Sequence, residues 1–220
     1  MAKNESKTGP GQLVRRGEAA FLVALLALVA GGALSIPFVY ESQTLWYKVG
    51  VDKTLLRSGQ LAGLCAAVSL FIQMLLGVRG RFLEEIFGAG HLFRWHRING
   101  LILIAFGLLH ATLVLSAEEL TALLDVKSWP ELVGVLLLTA ILAMVVSSLF
   151  RGQLGLAFAG WRLMHRLLAY TVPVLLAVHV LFVSDSFAHG LPMAGLLTIL
   201  AALGGAILRI KWFARRPGRA

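Results

Sequence analysis

Charge is scarce in this chain. Only 14% of its 220 residues are Asp, Glu, Lys or Arg, against roughly a quarter in soluble domains, so an ordinary water-exposed globule is excluded. Cysteine is scarcer still. Cys65 stands alone inside an apolar run, which rules out a disulfide framework and any Cys-x-x-Cys redox pair. Strand-like alternation of polar and apolar residues is also missing, and with it the signature of a transmembrane β-barrel.

What is present is apolar length. Hydrophobic residues make up 58% of the sequence and the mean hydropathy is +0.83. A helix needs about 20 mostly apolar residues to cross a bilayer. Six runs qualify, approximately Ala19–Tyr40, Leu55–Val78, Ile98–Leu115, Pro130–Phe150, Leu163–Val183 and Leu191–Ile210. Without water to satisfy backbone polar groups, a helical bundle is the expected solution. The fold class is therefore all-α: a polytopic six-helix membrane bundle spanning 19–210, with a polar, mobile segment over 1–18 and a basic tail over 211–220. The first run is too long for the apolar core of a cleaved signal, and the residues around Arg15-Arg16 do not form a twin-arginine signal. It reads as a retained helix.

The net charge of +9 reports topology rather than a nucleic-acid partner. Four basic residues precede the first run (Lys3, Lys7, Arg15, Arg16) and four separate the second from the third (Arg79, Arg81, Arg94, Arg97). Three lie around the connection from the fourth to the fifth (Arg151, Arg162, Arg166), and five close the chain (Arg209, Lys211, Arg215, Arg216, Arg219). The alternate connections hold only Lys48, Lys53, Arg57 and Lys127. The split is sixteen against four, and the acids run the other way, four against seven. Positive residues stay on the cytoplasmic side, so both termini are expected in the cytoplasm, in a bacterial-type inner or plasma membrane.

Local signals refine this layout. Trp46 and Tyr47, in the outer connection Glu41–Thr54, suit the interfacial aromatic belt. The stretch "RFLEEIFGAGHLF", Arg81–Phe93, alternates charged and bulky residues and reads as a helix lying on the inner surface. "SWPEL" reads as a helix start, with Ser128 as cap and Pro130 in the first turn. Pro173 falls inside the fifth run and should kink it. "GAGHLF" lacks the third glycine and the preceding strand of a dinucleotide fingerprint. Asn4-Glu5-Ser6 matches a glycosylation acceptor but is placed in the cytoplasm.

Two stretches carry chemistry. "RWHRINGLILIAFGLLHATLVL" has His96 and His110 fourteen residues apart, and "WRLMHRLLAYTVPVLLAVHVLFV" has His165 and His179 at the same spacing. At about 100° per residue, fourteen steps end within about 40° of whole turns, so each pair shares a helix face. At 1.5 Å per residue the members stand about 21 Å apart along the axis. The third and fifth runs cross in the same direction. His96 is thus level with His165 near the cytoplasmic surface, and His110 with His179 toward the outside.

Two imidazoles on opposite sides of a flat macrocycle, in an apolar cleft, are what a b-type haem requires. The sequence therefore suggests two stacked sites, an inner haem on His96 and His165 and an outer one on His110 and His179. With no Cys-x-x-Cys-His present, neither would be attached covalently. Arg94, Arg97 and Arg166 flank the inner pair and Arg57 begins the outer end of the second run, so each is a candidate propionate contact as well as a topology anchor. Phe106 lies between His96 and His110, either as a bridging side chain or as core packing. His91 and His189 belong to no pair and read as surface residues.

At these motifs the chain resembles the ferric reductase-like transmembrane domain family, over roughly Leu55 to Ile210. That family includes the membrane cores of ferric reductases and NADPH oxidases and the haem-b subunit serving periplasmic methionine sulfoxide reductase. The resemblance rests on "HRINGLILIAFGLLH" and "WRLMHRLLAYTVPVLLAVH", with weaker support from "LLRSGQLAG" and the Gln73–Arg81 segment. It implies that His96, His110, His165 and His179 are axial haem ligands, and that Arg57 matches the arginine near the outer haem and oxygen site of the oxidases. The sequence also departs from the family. The oxidases carry a second outer histidine four residues past the third-helix ligand, where Val114 stands here, which argues against superoxide production. Full-length reductases continue into a flavin and nicotinamide domain beyond the sixth helix, so flavin is expected from a partner. The methionine sulfoxide reductase subunit generally lacks the counterpart of His96.

The expected function is transmembrane electron transfer through two b haems. The donor would be a cytoplasmic flavin reductase or a quinol, and the acceptor ferric iron or a periplasmic oxidoreductase. A non-redox transporter using its histidines for metal or protons is the alternative, as is a haem-binding assembly or sensor subunit. The topology is directly testable. A fluorescent-protein fusion at either terminus should fluoresce, and alkaline phosphatase inserted at Gln43 should be active. Phosphatase activity at a terminus would invert the assignment.

Overall fold

The computed structural model describes residues 10–78, 80–117 and 128–214. It consists of α1 (Pro10–Val39), α2 (Gln43–Tyr47), α3 (Gly50–Val78), α4 (Arg81–Phe87), α5 (Ala89–Ala117), α6 (Trp129–Leu149), α7 (Phe158–Val183), a 3-10 turn at Asp185–Phe187 and α8 (Gly190–Ala214). No strand occurs among the described residues. Six of the helices, α1, α3, α5, α6, α7 and α8, are long and apolar enough to cross a membrane. This is the all-α six-span architecture that the hydropathy demands. Lys3, Lys7, Arg79, Lys127, Arg215, Arg216, Arg219 and the Asn4-Glu5-Ser6 tripeptide lie outside the described residues.

Boundaries differ from expectation where polar residues extend a helix. α1 begins at Pro10, so the second half of the polar segment is already helical. Proline suits a first helical position. The Arg81–Phe93 stretch is not one surface helix. α4 ends at Gly88, whose φ of 79° only glycine adopts easily, and α5 starts at once at Ala89. Ser128 occupies the N-cap position of α6 without a side-chain cap bond, and Pro130 follows in the first turn. α7 continues as one helix through Pro173, which is buried beside Val172 and Leu176.

Four helices build the core. Leu70 of α3, Leu103 and Ile104 of α5, Leu137, Ala140 and Ile141 of α6, and Val172 and Leu176 of α7 form one buried cluster. α3 and α5 pack antiparallel. A Cβ on Gly59 would meet Val114, and one on Gly77 would meet His96. Small residues let two backbones approach this closely in a membrane. Asn99 fastens the pair by donating to the Ser69 carbonyl and to Gln73 Oε1, each at 2.8 Å. α6 and α7 are antiparallel as well, with Gly134 against His179 and Ser148 against His165.

At the end where α3 begins and α5 finishes, α2 acts as a plug. Leu45 is completely buried against Leu56 and Ala117. Lys48 Nζ donates to the Ala117 carbonyl at 2.8 Å, satisfying a C-terminal acceptor of α5. Trp46 and Tyr47 remain exposed, at 61% and 85%. Exposed Leu, Val and Phe side chains line the helices elsewhere, a surface for lipid rather than water.

Asn99 is the polar tie between α3 and α5. Interhelical hydrogen bonds in membranes average about 0.6 kcal/mol each. Asn99→Ala should therefore lower stability by roughly 1 kcal/mol, measured by reversible unfolding in mixed micelles. No change would show that glycine packing alone holds the pair.

Candidate functional site: two levels of paired histidines

Each histidine helix is presented by a partner helix, and in both cases the partner carries small residues at the matching spacing. On α3, Gly63 and Gly77 are fourteen residues apart, as His110 and His96 are on α5. Because the helices are antiparallel, Gly63 lies against the His110 ring and Gly77 against His96. On α6, Gly134 and Ser148 are again fourteen apart. Gly134 lies against the His179 ring, and Ser148 Oγ is 3.5 Å from His165 Nδ1.

The outer pair is held tightly. His110 Nδ1 is 2.8 Å from the Gly59 carbonyl, and His179 Nδ1 is 2.9 Å from the Pro130 carbonyl. A carbonyl only accepts, so each Nδ1 carries the proton and donates it. Each Nε2 is left with its lone pair free for a metal. A backbone carbonyl on the second nitrogen is the usual way a metal-binding imidazole is oriented and made more basic. The two ring centroids lie 6.2 Å apart, with the planes inclined at 78°. One metal ion gripped by both, at metal–nitrogen bonds of roughly 2.0–2.1 Å, sets ring centres roughly 6 Å apart. The residues present therefore fit a bis-imidazole haem iron at this level.

The core cluster separates this level from the inner one. Leu70, Leu103, Ile141 and Val172 each lie seven residues from both site residues of their own helix. That places His96 and His165 at the opposite edge of the same cluster. His96 is half-buried beside Gly77, and His165 packs under Trp161 with centroids 5.4 Å apart. Trp161 Nε1 is buried without a hydrogen-bond partner, so a donor is available at the inner site. Among the described residues, no group of three or more His, Cys, Asp or Glu side chains could hold a metal ion.

A family profile described as "Ferric reductase like transmembrane component" matches residues 62–177. The match covers more than half of the sequence. The chain belongs to the ferric reductase-like transmembrane family. The matched region holds both glycine seats, Gly63 and Gly134, and three of the four histidines, with His179 two residues beyond it. Comparison with curated proteins and with solved structures gave no match.

Within this ferric reductase-like core the arginines are placed variously. Arg94, Arg97 and Arg166 are exposed beside the inner pair, free to serve as anchors or anion contacts. Arg57 turns toward α1. Its guanidinium lies over the Phe38 ring at 5.4 Å and donates to Glu41, which also pairs with Lys53 at 3.1 Å. Phe38, Lys53 and Arg57 line an open cleft of about 370 Å³ with Thr54 and Ser58. Phe106 is half-buried, while His91 and His189 are exposed. Sequence reasoning did not find the glycine seats, the two carbonyls or Trp161. The Gly59-x-x-x-Gly63 spacing was the available signal for the first of them.

The hydrogen bond from Lys53, helped by the charges of Lys53 and Arg57, holds the Glu41 carboxyl below the ordinary carboxylate range. A depressed folded-state value means that the stabilisation is present above the unfolded carboxylate value and is lost as pH falls through the folded one. The stability difference between wild type and Glu41→Gln should therefore stay constant from neutral pH down to the ordinary carboxylate range and vanish below it. Thermal unfolding in detergent across that range measures it, and a difference unchanged at the acid end would exclude the ion cluster.

Proposed function

We propose that this protein conducts electrons across the membrane between two bis-histidine haem b sites. The inner site uses His96 and His165, and the outer site His110 and His179. The observation that carries the reading is the outer pair, with imidazoles 6.2 Å apart and both Nδ1 protons committed to helix carbonyls. Bound haem supplies reversible one-electron chemistry that no side chain here can. Membership of the ferric reductase-like family supports the same conclusion.

The chain's own residues do the rest. Gly59 and Pro130 fix the tautomer and direction of the outer rings through their carbonyls. The apolar cluster around Leu103 and Val172 keeps water from the space between the levels. Trp161 covers His165, and Arg94, Arg97 and Arg166 supply positive charge at the inner rim. With both termini cytoplasmic, a cytoplasmic flavin reductase or a quinol delivers electrons to the inner level. Ferric iron or a periplasmic oxidoreductase removes them at the outer level. A metal-ion or proton transporter would call for acidic partners among the histidines. The half-buried Glu131, next to Pro130, has one buried carboxylate oxygen without a partner, but among the described residues no group of three or more His, Cys, Asp or Glu side chains could hold a metal ion.

Purified protein should show reduced-minus-oxidised b-type bands with about two haems per chain, one at each of its two bis-imidazole levels. His110→Ala or His96→Ala should each remove about half of the absorbance. A colourless preparation from haem-replete cells would reject the proposal.

A further inference from the structure

The two ligand-bearing hairpins, α3–α5 and α6–α7, are built to one plan. In each, the presenting helix supplies a carbonyl, then a glycine four residues on, then a small residue fourteen further. These are Gly59, Gly63 and Gly77 on α3, and Pro130, Gly134 and Ser148 on α6. In each, the carbonyl accepts the outer histidine's Nδ1 proton and the imidazole lies on the glycine. The carbonyl has a second lone pair, so it can take this proton while still serving its own helix.

We infer that Gly63 and Gly134 are positioning residues that fix the angle and tautomer of the outer imidazole pair, an inference that rests on the haem reading above. A Cβ on Gly63 would come within 2.8 Å of His110 Nδ1, and one on Gly134 within 2.5 Å of His179 Cε1. Real Cβ atoms do not approach so closely. The ring cannot retreat without giving up its carbonyl, because the contact falls on the atoms beside the hydrogen bond. Gly77 differs. A Cβ there would stand 3.6 Å from His96, an ordinary contact. At the fourth position a side chain is already present, Ser148, 3.5 Å from His165. The outer level is seated on bare backbone, and the inner level tolerates side chains.

The seats hold the two outer rings at 78° to one another. Axial imidazoles with nearly perpendicular planes leave two iron d orbitals almost degenerate, which gives a low-spin ferric electron paramagnetic resonance signal with a large principal g value. In the wild-type chain, the signal that disappears in His110→Ala should be of this type. Gly63→Ala and Gly134→Ala should each either abolish that signal, with about half the haem lost, or move it to a smaller g value and shift the outer midpoint potential. Gly77→Ala should leave both signals and both haems in place. Full haem content with an unmoved outer signal in both alanine variants at the seats would overturn the inference. So would a rhombic, small-g outer signal in the wild type, which decides the matter even if the alanine variants fail to fold. A wild-type chain without haem would instead reject the functional reading, and this inference with it.

Discussion

The arrangement depends on one interaction made twice, the hydrogen bond from a histidine Nδ1 to a carbonyl on the neighbouring antiparallel helix. It fixes which nitrogen is protonated, and hence which can bind a metal. It also ties the axial register of α5 to α3 and of α7 to α6. Register is otherwise weakly determined between lipid-embedded helices, since sliding one apolar helix along another exchanges similar surfaces. A glycine four residues past each carbonyl then allows the close approach that the bond requires. Once both outer bonds are made, the common fourteen-residue spacing places His96 against Gly77 and His165 beside Ser148.

The interior between the levels follows the same arithmetic. Midway along each presenting or ligand-bearing helix stands a bulky aliphatic side chain: Leu70, Leu103, Ile141 or Val172. A seven-residue repeat keeps site residue, core residue and site residue on one face, as the seam of a coiled coil does. Site and core are thus alternate layers of a single four-helix unit. α1 and α8 contribute little to that buried cluster, and α2 closes the outer end through Leu45.

Much of this was legible in the sequence. Six apolar runs gave the span number, and two histidine pairs at equal spacing marked the helices that carry the candidate ligands, because hydropathy and helical periodicity are properties of single segments. Partner choice was less legible. Nothing in α5 alone says that His110 should rest on Gly63 rather than on a residue of α6, since that is a property of two surfaces together. Arg57 shows the same limit. Its position at the outer end of the second run was plain, but its direction depended on Glu41 and Phe38, which stand on other elements. Helix ends were misjudged where the chain stays helical beyond the apolar run, as at Pro10 and Ala89.

The aliphatic layer between the two levels has an electrical meaning. Its fully buried members are Leu, Ile, Val and Ala, and the amides of Asn99 and Gln73 on its α3–α5 side are tied to one another and to the Ser69 carbonyl. In the function proposed here, each electron crosses this low-dielectric layer. Turnover is therefore electrogenic, and the resting field across the bilayer biases it by about 2.3 kcal/mol for each 100 mV. An inside-negative membrane would then assist every outward electron, so the cell's own polarisation becomes part of the driving force.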